Sequence, residues 1–187
     1  MKRRLFIAIN LPENVKRKLI EYRQKWYNLN PELIRWVNKF NLHITLIFIG
    51  YVSDDEMYNI CNIVKETAKK HEPFFIRMER IIIGPLDATP RMFWVEGEKS
   101  EELAKLQTDL ENAITGEDYM KKEIRPYKPH ITLARFRSLL LKSLPEEINE
   151  PFKFEIPVET IEIMQSSLKR TGAEYSVLES VNLGKGL

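Results

Sequence analysis

The chain has one cysteine, three histidines and only 7 glycines among its 187 residues. The single thiol, Cys61, excludes an internal disulfide framework and a cluster of thiolate metal ligands, and it suits a reducing interior. No apolar stretch approaches the ~20 residues that a membrane-spanning helix requires. The run at 5–9 follows Lys2, Arg3 and Arg4 as a secretory signal would, but Asn10 and Pro12 interrupt it too early, so no signal peptide is expected. The 10 prolines are scattered, and low-complexity tracts are missing, which argues against a disordered chain. An excess of one charge is missing too: 29 Lys and Arg stand against 27 Asp and Glu. With 43% apolar residues the chain can bury a sizeable core, and a single cytoplasmic domain over 1–187, a monomer with no membrane attachment, is expected.

What is present is a repetition. His43-Ile44-Thr45-Leu46 returns 87 residues later as His130-Ile131-Thr132-Leu133, and the two words hold two of the three histidines. The same offset lays Arg4-Leu5-Phe6 on Arg91-Met92-Phe93 and Lys18-Leu19 on Lys105-Leu106, so one ungapped register is expected from the first strand to the histidine. Each half reads as strand, helix, irregular loop and histidine strand. In the first, 5–9 is β-rich, a helix enters at Pro12-Glu13 and runs to about Trp26, and 42–49 is a strand ended by Gly50. In the second, 92–95 is the strand, Ser100 caps a helix with the stripe Leu103, Leu106, Leu110, Ala113 and Ile114, and 130–136 is the histidine strand.

A helix at 54–70 and a strand at 74–83 follow the first unit. A short helix at 138–144 and strands at 152–156, 158–166 and 175–183 follow the second, with Gly172 marking a turn. This order predicts an α+β fold of two lobes about an approximate two-fold axis. Each lobe would be a mainly antiparallel sheet with helices outside, and a central cleft would lie between them.

Residues i and i+2 of a strand share a face, so His43 projects with Thr45, and His130 with Thr132. Two-fold symmetry would face these pairs across the cleft. That constellation fits phosphodiester cleavage, in which the attacking oxygen loses a proton while the departing oxygen gains one on the far side of phosphorus. Two imidazoles titrating near pH ~6.5 can hold opposite protonation states, and the threonine hydroxyls can donate to non-bridging oxygens. No metal or other cofactor is called for, and no His/Cys/Asp/Glu cluster has ligand spacing.

The paired words resemble the two-histidine (2H) phosphoesterase superfamily, and their surroundings resemble its RNA 2′,3′-cyclic phosphodiesterase family, formerly called 2′-5′ RNA ligases. The stretches concerned are 4–9, Arg35-Trp36-Val37, Asn41-Leu42 ahead of His43, Gly50, 125–135, 163–168 and Gly172-Ala173-Glu174-Tyr175. The resemblance implies hydrolysis of an RNA 2′,3′-cyclic phosphate end to a 2′-phosphate, with reversible 2′-5′ joining of tRNA halves. It also implies that His43 is the proton donor and that His130 is the proton acceptor, which activates water. The sequence itself leaves this polarity open.

Other residues are read with less to distinguish them. Arg135 can pair with phosphate, although strict alternation puts it on the face opposite Thr132 unless a bulge redirects it. Phe48 and Tyr127 can stack on a nucleobase. By the same alternation Phe48 falls on the core face, and Tyr127, in a proline-flanked loop, is the better candidate. Trp36 and Trp94 read as core or rim residues, and His71 as a surface residue. The groups Lys2-Arg3-Arg4, Lys121-Lys122 and Lys169-Arg170 read as solvated faces, some able to steer RNA. Two competing readings are a non-catalytic RNA-binding module and a phosphodiesterase for a small cyclic-phosphate nucleotide.

Overall fold

The computed structural model describes residues 2–26, 28–85, 89–145, 148–169 and 172–184. The first half begins with β1 (Arg3–Asn10), α1 (Glu13–Arg23) continued by a 3-10 turn (Gln24–Trp26), and the short β2 (Ile34–Trp36). It goes on through β3 (His43–Val52), α2 (Asp54–Ala68) and β4 (Phe74–Gly84). The second contains β5 (Met92–Gly97), α3 (Glu101–Gly116), β6 (His130–Phe136), a 3-10 segment (Ser138–Ser143), β7 (Asn149–Val158), β8 (Thr160–Lys169) and β9 (Gly172–Asn182). Local signals start the helices as their residue types dictate. Ser53 and Glu56 form a reciprocal capping box on α2, and the Ser100 hydroxyl accepts from the Leu103 amide on α3. Gly172 lies in β9, and the residues just before it are outside the described ones.

All pairings are antiparallel, and the strands join in the order β7-β4-β5-β6-β3-β1-β8-β9, with β2 on the free side of β6. The expected halves are therefore two arms of one curled sheet. They meet where Ile44 of β3 pairs with Ile131 of β6, and that is the one register pair between those strands. The arms share material: β8 and β9, from the end of the chain, complete the arm of β1 and β3, while β4, from the first half, completes that of β5 and β6. Helices α1, α2 and α3 bury Val15, Leu19, Ile60, Val64, Leu103 and Leu106 against one face. The other face is left open, with Phe6, Ala8, Met164 and Tyr175 clustered on one arm and Ile82, Met92 and Trp94 on the other.

Two expectations are corrected in the strands. Gly50 does not end β3; it sits inside the strand at φ 101°, a left-handed conformation suited to glycine, at a register shift against β1. The ungapped repeat fails in β1 and β5. Ala8 lies opposite Thr45 and Trp94 opposite Thr132, so these strands are offset by 86 residues while the histidine strands are offset by 87. The one-residue difference exchanges faces. Phe6 lies on the open face, whereas Phe93, its apparent match, is in the core.

His71 is not a surface residue. It is 6% exposed, and its Nε2 lies 3.1 Å from Asp109 Oδ2, which ties the exit of α2 to α3.

Candidate active site

The seam brings the two histidine words together. In the register set by Ile44 and Ile131, His43 lies level with Thr132 and His130 with Thr45. Both imidazoles are held by one device. His43 Nδ1 lies 2.7 Å from the Asn41 carbonyl, and His130 Nδ1 lies 2.9 Å from the Lys128 carbonyl, each two residues upstream. A carbonyl only accepts, so Nδ1 carries the hydrogen and Nε2 is the nitrogen left for chemistry. His43 Nε2 lies 2.9 Å from Thr45 Oγ1, and in the neutral ring the hydroxyl donates. His130 Nε2 has no hydrogen-bond partner among the described residues.

Aromatic rings floor both positions. Phe6 lies 5.1 Å from the His43 ring, and Tyr175 meets it edge-on at 5.3 Å. Trp94 lies 4.5 Å from the His130 ring. This packing is possible because residue 84 is glycine, where a Cβ would come within 2.4 Å of the Trp94 ring. Burial lowers the pKa of both histidines; their carbonyl hydrogen bonds oppose this, while Arg135 adds to it at both and His130 adds to it at His43.

A bulge recurs in each arm and decides two further positions. Ile7 faces Ile47 but Ala8 faces Thr45, so Leu46 is an extra residue; in the same way Leu133 is extra between Ala134 and Thr132. Alternation restarts after each bulge. Phe48 is thereby turned to the histidine face, is 64% exposed and lies 6.1 Å from the Phe6 ring, which corrects the core placement. Arg135 is turned to the same face as Thr132 and reaches Met92 on the open side, at 3.0 Å from Nη1 to Sδ. Phe48 and Arg135 are thus equivalent positions with different chemistry.

Tyr127, read as a candidate to stack on a nucleobase, is engaged within the protein. It is half-buried, its hydroxyl donates to the Thr45 carbonyl at 3.2 Å, and Lys99 Nζ lies 5.9 Å above its ring. It braces one motif against the other. Of the basic groups, Arg3 pairs with Asp54 on the helix side, Arg4 is exposed beside Tyr51 and Ser166 on the open face, Lys121 and Lys122 are solvated, and Arg170 is outside the described residues. Cys61 is no nucleophile, since burial pushes its thiol up to about 11. Among the described residues no group of three or more His, Cys, Asp or Glu could hold a metal ion. None of the helices there is long and apolar enough to cross a membrane.

Comparison with known proteins gives this geometry its lineage. A family model described as the 2′-5′ RNA ligase superfamily matches residues 13–170. The chain belongs to that superfamily. Among its relatives, an RNA 2′,3′-cyclic phosphodiesterase of Thermus thermophilus is 31% identical over 193 residues, covering 96% of this chain and 90% of its own. Another of the same description from Thermotoga maritima is 29% identical over 186 residues, covering 98% and 97%. The fold also matches the solved structure of TT0787 of Thermus thermophilus, with TM-score 0.84 and 31% identity over 98% of this chain and 100% of that one. Escherichia coli LigT complexed with 3′-AMP matches with TM-score 0.79 and 25% identity, over 99% and 100%.

Within this superfamily fold, the sequence reading missed Tyr175, Trp94 and Gly84 as neighbours of the histidines, and the carbonyls of Asn41 and Lys128. The Nδ1 anchors repeat at the 87-residue offset, so extending the motif two residues upstream was the available signal. Tyr175 had no such signal, because β9 reaches His43 only through tertiary pairing.

Proposed function

We propose that this protein opens RNA 2′,3′-cyclic phosphate ends to 2′-phosphates, with His43 as general acid and His130 as general base. The observation that carries the reading is the matched pair of Nδ1-anchored imidazoles beside a single-pair seam, each level with the other motif's threonine. The names of the relatives support the substrate class. His130 Nε2, with its lone pair unpartnered among the described residues, takes a proton from water as the water oxygen bonds to phosphorus. The bond from phosphorus to O3′ breaks, and O3′ takes the proton carried by His43 Nε2. The products are a 2′-phosphate and a free 3′-hydroxyl, and solvent exchange restores both imidazoles.

Thr45 and Thr132 donate to the non-bridging oxygens where charge accumulates. Thr45 is first occupied with neutral His43. Protonating that ring turns Nε2 into a donor and releases the hydroxyl hydrogen. The arriving phosphate anion favours this protonation by raising the lowered pKa of His43. Arg135 lends positive charge to the same anion, and exposed Phe48 offers a stacking face for the terminal base. With a ribose 5′-hydroxyl in place of water, the same displacement joins two ends through a 2′-5′ linkage.

The test is incubation of a short RNA ending in a 2′,3′-cyclic phosphate with the protein in excess chelator, followed by identification of the terminal phosphate. A 2′-phosphate is expected, and His43→Ala or His130→Ala should each lower kcat by about 10²–10⁴-fold. Full turnover by either variant would sink the assignment, and a 3′-phosphate product would reverse the leaving group. Tight binding without turnover by the wild type would make the chain an RNA-binding module.

A further inference from the structure

Arg35 of β2 and Arg135 of β6 are direct cross-strand partners. Such partners project from one face of an antiparallel pair with Cβ atoms ~4.5–5.5 Å apart. The neighbours of Arg35, Ile34 and Trp36, pack with the core, so Arg35 emerges on the open face that carries the histidines. Like charges set directly opposite one another destabilise a sheet. Four other arginines are matched with carboxylates, Arg3 with Asp54, Arg77 with Glu155, Arg80 with Glu96 and Arg125 with Glu123, while Arg4, Arg17, Arg23, Arg91 and Arg137 form no such pair among the described residues but have no arginine as cross-strand partner. Arg35 and Arg135 form no ion pair with a carboxylate among the described residues, and the hydrogen bond from Arg135 ends on a thioether sulfur, a weak acceptor.

We propose that Arg35 and Arg135 together form an anion clamp for phosphodiester oxygens of the substrate, with Arg35 as its outer prong. An anion between two guanidinium forks removes their repulsion and can accept bidentate hydrogen bonds from each. Arg135 is the inner prong, since its charge bears on both imidazoles while that of Arg35 figures in neither. The clamped oxygens belong either to the cyclic phosphate or to the internucleotide phosphate one step upstream. The assignment rests on the cyclic-phosphate reading, but the first of its two tests is independent of turnover.

That first test is a thermal-shift titration with inorganic phosphate. Without phosphate, Arg35→Gln should melt at or above the wild-type Tm, because a like-charge contact has gone. It should need at least about tenfold more phosphate for the same shift, the loss of one charge-assisted hydrogen bond, and Arg35→Lys should recover part of the affinity. Unchanged phosphate affinity overturns the proposal, as does a phosphate-free Tm well below wild type, which would make Arg35 a structural residue. The second test compares KM on adenosine 2′,3′-cyclic phosphate with KM on a dinucleotide carrying the same end. A rise for both places Arg35 on the cyclic phosphate, a rise for the dinucleotide alone places it on the internucleotide phosphate, and no rise for either overturns the clamp. If the wild type turns over neither compound, the cyclic-phosphate reading fails, and the phosphate titration still decides the arginine pair.

Discussion

Leu46 and Leu133 are the same bulge residue in two strands 87 residues apart, and each is buried to 3% exposure. Each supplies the extra residue that shifts alternation by one. The following side chains, Phe48 and Arg135, are turned out of the core to stand with a histidine and a threonine. One backbone device thus yields an aromatic in one arm and a cation in the other. The arms are equivalent in fold and unequal in chemistry.

The bulge can be tested through stability alone. If Phe48 packed in the core, truncation to alanine would cost about 3–5 kcal/mol. Exposed as it is, Phe48→Ala should change stability by no more than ~0.5 kcal/mol, measured by urea unfolding. Its effect should fall on substrate KM, by about tenfold if one base stacks on the ring.

The histidine pair and most of the order of strands and helices were legible in the sequence because two features of short range carried them, an exact repeated tetrapeptide and helix-start signals at Pro12 and Ser100; the three-residue β2, in the stretch expected to be an irregular loop, was not, because it exists only by pairing with β6. Faces were less legible. Alternation counted from Thr132 misplaces Arg135, since the choice of Leu133 as a bulge is made by the partner strand β5, where Phe93 and Trp94 take consecutive places opposite Ala134 and Thr132. The same cause defeated the match of Arg4-Leu5-Phe6 to Arg91-Met92-Phe93, three residues alike in type and one step apart in position. His71 was misread for another reason: its neighbour Asp109 lies on α3, and a polar sequence neighbourhood gives no notice of a tertiary contact.

Tyr127 separates a bracing role from a stacking one. Its hydroxyl holds the Thr45 carbonyl, so Tyr127→Phe should lower stability by about 1 kcal/mol in chemical denaturation and reduce kcat more than it raises KM. A ring that only stacked on a base would tolerate phenylalanine, and an unchanged stability and kcat would favour that role.

Gly84 should be intolerant of even one methyl group. An alanine Cβ would meet Trp94 at 2.4–2.8 Å, against the ring that supports His130. The indole is confined in a sheet and cannot swing away freely, so Gly84→Ala should cost about 1–3 kcal/mol. The displaced Trp94 should carry His130 off its position and lower kcat by roughly tenfold or more. Calorimetry and steady-state kinetics check the two parts, and a variant with wild-type kcat would separate Trp94 from the placement of the base.

The lowered histidine pKa values fix the sign of the pH dependence. Burial, joined by Arg135, holds both folded imidazoles below the unfolded value near 6.5, so between those limits the unfolded chain binds more protons. Their contribution to stability is whole above about pH 6.5 and is lost as the pH falls through 6.5 toward the folded values. The double variant His43→Gln, His130→Gln should therefore lose less stability than wild type between pH 7.5 and pH 5 in urea unfolding. Replacing Arg135 by methionine keeps an apolar stem beside Met92 and removes the repelling charge. Both ring titrations, followed by NMR, should then move upward, and the acid limb of kcat/KM should move with them as the coupled pair shifts. If neither ring titration moves in Arg135→Met, the guanidinium does not stand over the histidines, and the bulge at Leu133 does not aim it there.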